Sequence, residues 1–199
     1  QRMPPNAAAK AFLRSRVYPL PGEFLACSIK LWTVCSIYTD YLEVIYPLDP
    51  NEIIGPKGYG PEKFVGIKQP LEYRINFENV STATAPAQKV YIEDVLPQGV
   101  DPRTVRLKEI GFHHYSYLVP NNSPIYQSRQ QLGSDLNDLK ADMFAAVDIM
   151  NRRVTWTITA IDPQTSERPL DPTLGILPPN NDNHDGEGYV IFTVEADAA

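Results

Sequence analysis

Cysteine is scarce in this chain, because its 199 residues include only Cys27 and Cys35. On one extended strand the two residues would share a face but lie about 26 Å apart, at roughly 3.3 Å per residue. Cα atoms joined through a disulfide lie within about 7 Å of each other, and no turn residue near Leu31 would reverse the chain between the cysteines. We therefore expect two free, buried thiols, and these do not indicate a cellular compartment.

Long apolar runs and basic stripes are also missing. Lys30, Asp40 and Glu43 interrupt the most apolar segment, so we expect no membrane span. The sequence begins at Gln1 without a signal peptide, which suggests a mature or excised piece of a longer protein. Its 18 basic and 24 acidic residues give a net charge of −6, so we expect no nucleic-acid partner.

Proline and glycine are plentiful, with 19 and 11 residues, and they interrupt long regular elements. Short segments of alternating apolar and polar residues lie between them and predict β-strands. The predicted strands are 71–79, 89–97, 104–110, 141–149, 153–161 and 188–195. Polar segments at 121–138 and 162–185 predict irregular structure. The fold class predicted is all-β, an antiparallel immunoglobulin-like β-sandwich with long Pro/Asn-rich loops, without the Cys…Trp…Cys signature of true immunoglobulin domains.

A loop rich in proline and glycine at 48–61 divides the chain. We expect the sandwich to span 48–199, after an N-terminal extension at 1–47. This extension has a predicted short helix at 7–14, and 24–46 alternates like two strands, with an amphipathic helix as the alternative. Its strands either belong to a preceding domain or add to the sheet edge of a partner.

Segments spread over the predicted sandwich resemble a known repeat domain. They include Asp49-Pro50-Asn51-Glu52, Gly58-Tyr59-Gly60, Tyr73-Arg74-Ile75-Asn76-Phe77, Thr82-Ala83-Thr84-Ala85-Pro86, Val154-Thr155-Trp156, Leu177-Pro178-Pro179-Asn180 and Gly186-Glu187-Gly188-Tyr189. In this order they are similar to a conserved repeat β-sandwich domain, a domain of unknown function, of large bacterial extracellular and cell-surface proteins. The resemblance implies an exported adhesion-like or spacer module without established catalysis, and it does not reach residues 1–47.

Oxygen-rich loops are the strongest candidates for a bound ion. Ca²⁺ takes about six to eight oxygen ligands, often from Asp, Asn and Glu on tight loops. The candidate ligands are Asp49, Asn51 and Glu52 in one loop and Asp182, Asp185 and Glu187 in another. If the last strand pairs beside the first, the two loops meet at one end of the sandwich. The alternative is ordinary solvated turn structure, which uses the same residue types.

His113 and His114 are adjacent, and neighbours on a strand point to opposite faces. We therefore expect structural histidines rather than a zinc site. An alternative use of this region is a platform that contacts a sugar or a protein. The aromatic residues of this platform are Phe112, Tyr115, Tyr117 and Tyr126.

Nothing in the sequence matches the common catalytic motifs. Acid pairs such as Asp135 with Asp138 lie in polar segments without an apolar wall to raise a pKa. We therefore expect a non-catalytic structural or interaction module of an exported bacterial protein, outside the cell or at its surface and stabilised by calcium, with protein partners or neighbouring domains. The alternative is a carbohydrate- or protein-binding domain accessory to an enzyme.

Overall fold

The computed structural model describes residues 10–12, 51–58, 60–62, 65–66 and 69–197, with the backbone alone at 10–12 and 51. In chain order the strands are β1 (Lys10–Phe12), β2 (Asn51–Ile54), β3 (Leu71–Glu78), β4 (Lys89–Val95), β5 (Val100–Phe112), β6 (Tyr115–Leu118), β7 (Ile125–Gln131), β8 (Lys140–Asp148), β9 (Arg153–Ile161) and β10 (Glu187–Ala196). The helical segments of this described part are two 3₁₀ turns, Pro120–Asn122 and Ser134–Leu136. Neither is long and apolar enough to cross a membrane.

The strands form two antiparallel sheets of five strands each. Sheet A has the order β1-β4-β9-β8-β7, and sheet B has the order β2-β3-β10-β5-β6. The last strand, β10, pairs with β3 on one side and β5 on the other, so it lies in the middle of sheet B. The β4–β9 pair is nested in sequence within the β3–β10 pair. As in immunoglobulin-like sandwiches, two antiparallel sheets pack face to face, and the predicted all-β sandwich is confirmed.

One hydrophobic core fills the space between the sheets. Alternate residues of β9 point into it, and Val154, Trp156 and Ile158 are fully buried there as the alternation predicts. The Trp156 ring lies 5.5 Å from the ring of Phe192 in sheet B, measured between centroids. Large aromatic side chains bury about 150–250 Å² each, so this contact across the sheets is a main source of cohesion.

The six predicted strands are confirmed as β3, β4, β5, β8, β9 and β10, and 162–185 is a loop as predicted. The prediction of irregular structure over 121–138 is wrong for β7, which forms the outer edge of sheet A. Seven residues make up β7, and none of them is buried. An edge strand of this kind has no apolar alternation to reveal it, and β6 at one edge of sheet B was missed as well. The prediction of a loop over 48–61 is wrong for β2, Asn51–Ile54, which forms the other edge of sheet B.

At the N-terminal extension, the predicted helix over 7–14 is wrong for Lys10–Phe12. These residues form β1 and pair antiparallel with Tyr91–Glu93 of β4. A single short helix is marginal in water, whereas the open edge of β4 offers backbone hydrogen bonds to an extended segment. Cys27, Cys35 and the strands predicted over 24–46 lie outside the described residues.

The strand registers define two ends of the sandwich. At one end, called the loop end, β3 finishes at Glu78 opposite Glu187 of β10. The loops gathered there are 79–88, 113–114, 132–139 and 162–186. At the other end, called the exit end, β10 finishes at Ala196 opposite Val100 of β5. Polar and charged residues are concentrated in the four loops, so the loop end is where a site is to be sought.

Candidate functional site

One buried amide ties three segments of the loop end together. Asn79 directly follows β3 and is fully buried. Its Nδ2 donates to the carbonyl oxygens of Ala85 at 2.9 Å and Leu177 at 3.0 Å. Its backbone N–H donates to the Gly186 carbonyl at 2.8 Å, and its own carbonyl accepts from the Asn180 N–H at 2.6 Å. The loops 79–88 and 162–186 are therefore fixed relative to the end of β3.

A polar cleft of about 530 Å³ opens on sheet B at the loop end. Its charged and aromatic lining includes Glu52, Arg74, Glu78, His184, Glu187 and Tyr189. The Arg74 guanidinium lies 3.7 Å from the centre of the Tyr189 ring and covers that aromatic face. The cleft therefore offers carboxylates and hydrogen-bonding groups rather than an open apolar surface.

The two oxygen-rich loops of the sequence prediction converge on this cleft. Glu52 of β2 and Glu187 at the start of β10 both line it, because β2 and β10 flank β3 in sheet B. Asn51 pairs with Phe77 at the same end, although only its backbone is described. Asp49 lies outside the described residues.

The other two predicted ligands lie on the loop itself. Asp182 is exposed. Asp185 accepts a hydrogen bond from Asn181 Nδ2 at 2.7 Å, and its Oδ1 lies 3.9 Å from His113 Nε2. Asp185 therefore lies near the β5–β6 turn and is not among the residues that line the cleft. The structure brings Glu52 and Glu187 to one cleft and places Asp182 and Asp185 at its margin.

A histidine and a glutamate pair at the mouth of the cleft. His184 Nδ1 lies 2.6 Å from Glu187 Oε1. This contact raises the pKa of His184 and lowers the pKa of Glu187, as expected when each group stabilises the charged form of the other. Asn180 Nδ2 also donates to Glu187, at 3.2 Å, and to Glu78, at 2.8 Å. Glu78 and Glu187 are thus already engaged by donors from the loop.

The prediction that adjacent histidines point to opposite faces is wrong. Phe112 and Tyr115 pair directly across β5 and β6, so His113 and His114 form a two-residue hairpin turn instead of lying in a strand. Their ring centroids are 4.3 Å apart. Their Nε2 atoms lie 3.9 Å and 3.5 Å from Oδ2 of Asp135. The turn directs both imidazoles to the same carboxylate.

This carboxylate is held in place by a tyrosine. The Tyr115 hydroxyl donates to Asp135 Oδ1 at 3.0 Å, and the backbone N–H of Gly133 donates to that hydroxyl at 2.7 Å. A Cβ atom on Gly133 would lie 2.5 Å from Asp135 Oδ1, so a larger residue at this position would displace the carboxylate. Burial lowers the pKa of His113, and the neighbouring His114 lowers it further. The negative charges of Asp185 and Asp135 act in the opposite direction and raise it.

The aromatic residues near the histidines are not an open platform. Tyr115, Tyr117 and Tyr126 are partly buried and pack against the core. The rings of Tyr115 and Tyr117 stack at 6.4 Å with an interplanar angle of 4°, and burial raises the pKa of Tyr117 to about 12. In this region the exposed apolar side chains are instead Leu118 and Ile125.

Fold and site together define the class: an all-β sandwich domain with a polar cleft and a histidine turn at its loop end. The family model described as Domain of unknown function (DUF7619) matches residues 49–164, more than half of the 199 residues, so the chain belongs to this family. No curated protein and no solved structure matches the chain. The matched range ends before β10, yet β10 lies between β3 and β5 in sheet B, so the sandwich extends beyond the matched range.

Proposed function

We propose that this domain is a non-catalytic structural or interaction module of an exported bacterial protein, acting outside the cell or at its surface. In this proposal it repeats within a large protein, or lies between neighbouring domains, and its partners are those domains or other proteins of the assembly. The bacterial and extracellular setting is supported by the resemblance of its sequence segments to repeat domains of such proteins.

The positions of the first and last strands of sheet B support a spacer role best. Asn51, at the start of β2, pairs with Phe77 next to the loop end. Ala196, at the finish of β10, pairs with Val100 at the exit end. Gly188, which also pairs with Phe77, precedes Ala196 by eight residues of β10, or about 26 Å at roughly 3.3 Å per residue. Counted from β2 to β10, the sandwich is joined at opposite ends and can be linked head to tail into an extended array. β1 precedes this unit and pairs with β4, with Lys10 opposite Glu93.

We expect two copies of residues 48–199, joined directly in one chain, to form an elongated particle. Small-angle X-ray scattering should give a maximum dimension about twice that of one copy, because a short joint between opposite ends leaves little room for folding back. The matched control is the same pair joined by a long Gly/Ser linker, which should give a broad distribution of dimensions. Two copies that pack side by side would contradict the spacer role.

The carbohydrate- or protein-binding alternative is favoured by one feature, the polar cleft of about 530 Å³. Carboxylates, an arginine and an amide around a concave surface are suited to hydrogen-bond a polyhydroxyl ligand. The Tyr189 ring that such a ligand would stack on is covered by Arg74. Side-by-side packing in the scattering experiment, together with retention of the protein on a polysaccharide column, would favour this alternative.

Calcium is the second part of the proposal, with Glu52 and Glu187 as its central ligands. Both line the cleft together with Glu78. Three carboxylates around one cleft repel each other unless cations or donors lie between them, and oxygen ligands of this kind are those that Ca²⁺ prefers. Asp182 and Asp185 would supply further oxygen atoms from the loop, and Asp49 and Asn51 from the segment that leads into β2.

We expect Ca²⁺ to raise the melting temperature of the full chain above its value in EDTA. An ion at about 100 times its dissociation constant adds about 2.7 kcal/mol to the free energy of unfolding, which corresponds to several degrees in a domain of this size. Glu187→Gln should remove the increase, whereas Glu72→Gln, an exposed residue of β3, should keep it. Equal melting temperatures in Ca²⁺ and in EDTA would rule out the calcium proposal.

A further inference from the structure

We infer that His113, His114 and Asp135 form a binding site for a divalent transition metal of the Zn²⁺ class, beside the cleft where calcium is proposed, whose lining includes His113. Among the residues that the structure describes, this is the one group in which three His, Cys, Asp or Glu side chains bring ligand atoms within 4.8 Å of one another. Imidazole suits Zn²⁺, Ni²⁺ and Cu²⁺, whereas Ca²⁺ takes oxygen ligands.

The distances fit ligands arranged around a shared centre. Asp135 Oδ2 lies 3.5 Å from His114 Nε2 and 3.9 Å from His113 Nε2, which is beyond the usual range for a hydrogen bond. With Zn–N and Zn–O bonds of about 2.0–2.2 Å, two ligand atoms of a tetrahedral site lie about 3.3 Å apart. The two histidine–aspartate distances therefore exceed coordination geometry by about 0.2 Å and 0.6 Å, and the ligand atoms of all three residues lie within 4.8 Å of one another.

The residues that hold the candidate ligands in place have the same roles as residues around established metal sites. A ligating carboxylate is normally oriented by a hydrogen bond from behind, and here the Tyr115 hydroxyl, itself fixed by the Gly133 N–H, provides it. The backbone N–H of His113 donates to the Glu187 carbonyl at 2.8 Å, which ties the turn to β10.

Binding at His113 Nε2 has one specific consequence. The His114 backbone N–H donates to His113 Nδ1 at 2.9 Å, so in the neutral ring the proton is on Nε2. A metal at Nε2 requires that proton to move to Nδ1 and ends this hydrogen bond. Since the bond lies in an exposed turn, the His114 amide can turn to water. The bound metal would link the β5–β6 turn of sheet B to the 132–139 loop of sheet A.

Zn²⁺ titration of the metal-free full chain tests the site. Cys27 and Cys35 are replaced by serine in every sample so that no thiol competes. We expect about one Zn²⁺ per chain, and we expect His114→Gln and Asp135→Asn each to weaken binding by at least about tenfold. Tyr115→Phe should weaken it by about tenfold, the lower limit for the loss of an orienting partner. The matched control is His184→Ala, which removes the third histidine of the chain and should leave binding unchanged.

A spectroscopic readout keeps the test independent of variant folding. In the parent chain, Zn²⁺ should shift the His114 backbone amide and the imidazole nitrogens of both turn histidines in ¹⁵N spectra, and leave His184 unshifted. Glu187→Gln, the variant that tests the calcium proposal, should not alter Zn²⁺ binding. The calcium proposal and the zinc proposal can therefore each be refuted without the other. The site is refuted if the parent chain does not bind Zn²⁺, if folded His114→Gln and Asp135→Asn bind as tightly as the parent, or if His184→Ala removes binding.

Discussion

Replacing Asp94 by asparagine is expected to raise the free energy of unfolding by about 2–3 kcal/mol above about pH 7, and to change it little below about pH 4. Asp94 lies on β4 with its side chain turned into the sandwich, and only 3% of its surface is exposed. Asparagine keeps the size of this side chain and removes the charge. The expected gain is thus the cost of burying a carboxylate, measured as a function of pH.

The direction of the expected change in stability follows from the raised pKa of Asp94. Burial raises the pKa of Asp94 from 3.8 to about 6, against the smaller effect of the Val95 backbone N–H, which hydrogen-bonds the carboxylate. Below about pH 4 the carboxyl is neutral in the folded and unfolded states. Between about pH 4 and 6 the unfolded chain ionises first, so the folded state loses stability as the pH rises. At about 1.4 kcal/mol per pH unit, the loss approaches 3 kcal/mol.

Urea unfolding of the parent chain and Asp94→Asn at several pH values between about 3.5 and 8 measures this difference. Comparing the two proteins at each pH cancels the contributions of all other titrating groups. Glu72→Gln, which removes the same formal charge from an exposed position on β3, should show a difference within about 0.5 kcal/mol at every pH. A difference between parent and Asp94→Asn that does not vary with pH would contradict the raised pKa.

Asp94 also illustrates how far the sequence could predict this fold. Strands such as β3 and β9 were predictable because residues that face a core must be apolar. Apolar and polar residues therefore alternate along the sequence of each strand. The buried carboxylate of Asp94 breaks this rule within β4, although Val90 and Ile92 preserve the pattern. The strands β6 and β7 could not be predicted, since they lie at the sheet edges and contain no buried residue that must be apolar.

The candidate sites depend on contacts that no local pattern specifies. Glu52 and Glu187 share a cleft only because β2 and β10 flank β3. The meeting of these two loops was predicted conditionally, on the last strand pairing beside the first. The histidine turn was missed because Asp135 reaches it from another loop, through Tyr115 and Gly133. One local signal was present: aromatic residues on both sides of a polar pair, as in Phe112–Tyr115, are compatible with a two-residue hairpin turn.

Replacing Asn79 by alanine is expected to lower the free energy of unfolding by about 3 kcal/mol. The substitution leaves the buried carbonyl of Ala85 without the donor that Nδ2 supplies, and a buried polar group without a partner costs about 1–3 kcal/mol. The Leu177 carbonyl loses one donor and keeps the Ala87 N–H, which adds the cost of one hydrogen bond, about 0.5–1.5 kcal/mol. Asn79→Asp should be more harmful than alanine near neutral pH, because a carboxylate would face two carbonyl oxygens. Protonation at low pH should recover part of that loss, since a carboxylic acid donates one hydrogen bond.

Urea unfolding measures the stability of these variants, and hydrogen exchange shows which segments of the chain are destabilised. Asn183→Ala is the matched control: it removes an exposed asparagine from the same long loop, and it should change stability by no more than about 0.5 kcal/mol. Because Asn79 connects β3 to Ala85, Leu177 and Gly186, exchange should rise first in loops 79–88 and 162–186, ahead of β9. If Asn79→Asp were as stable as the parent chain, Nδ2 would not be what holds the loop end together, and the cleft and the histidine turn would need another support.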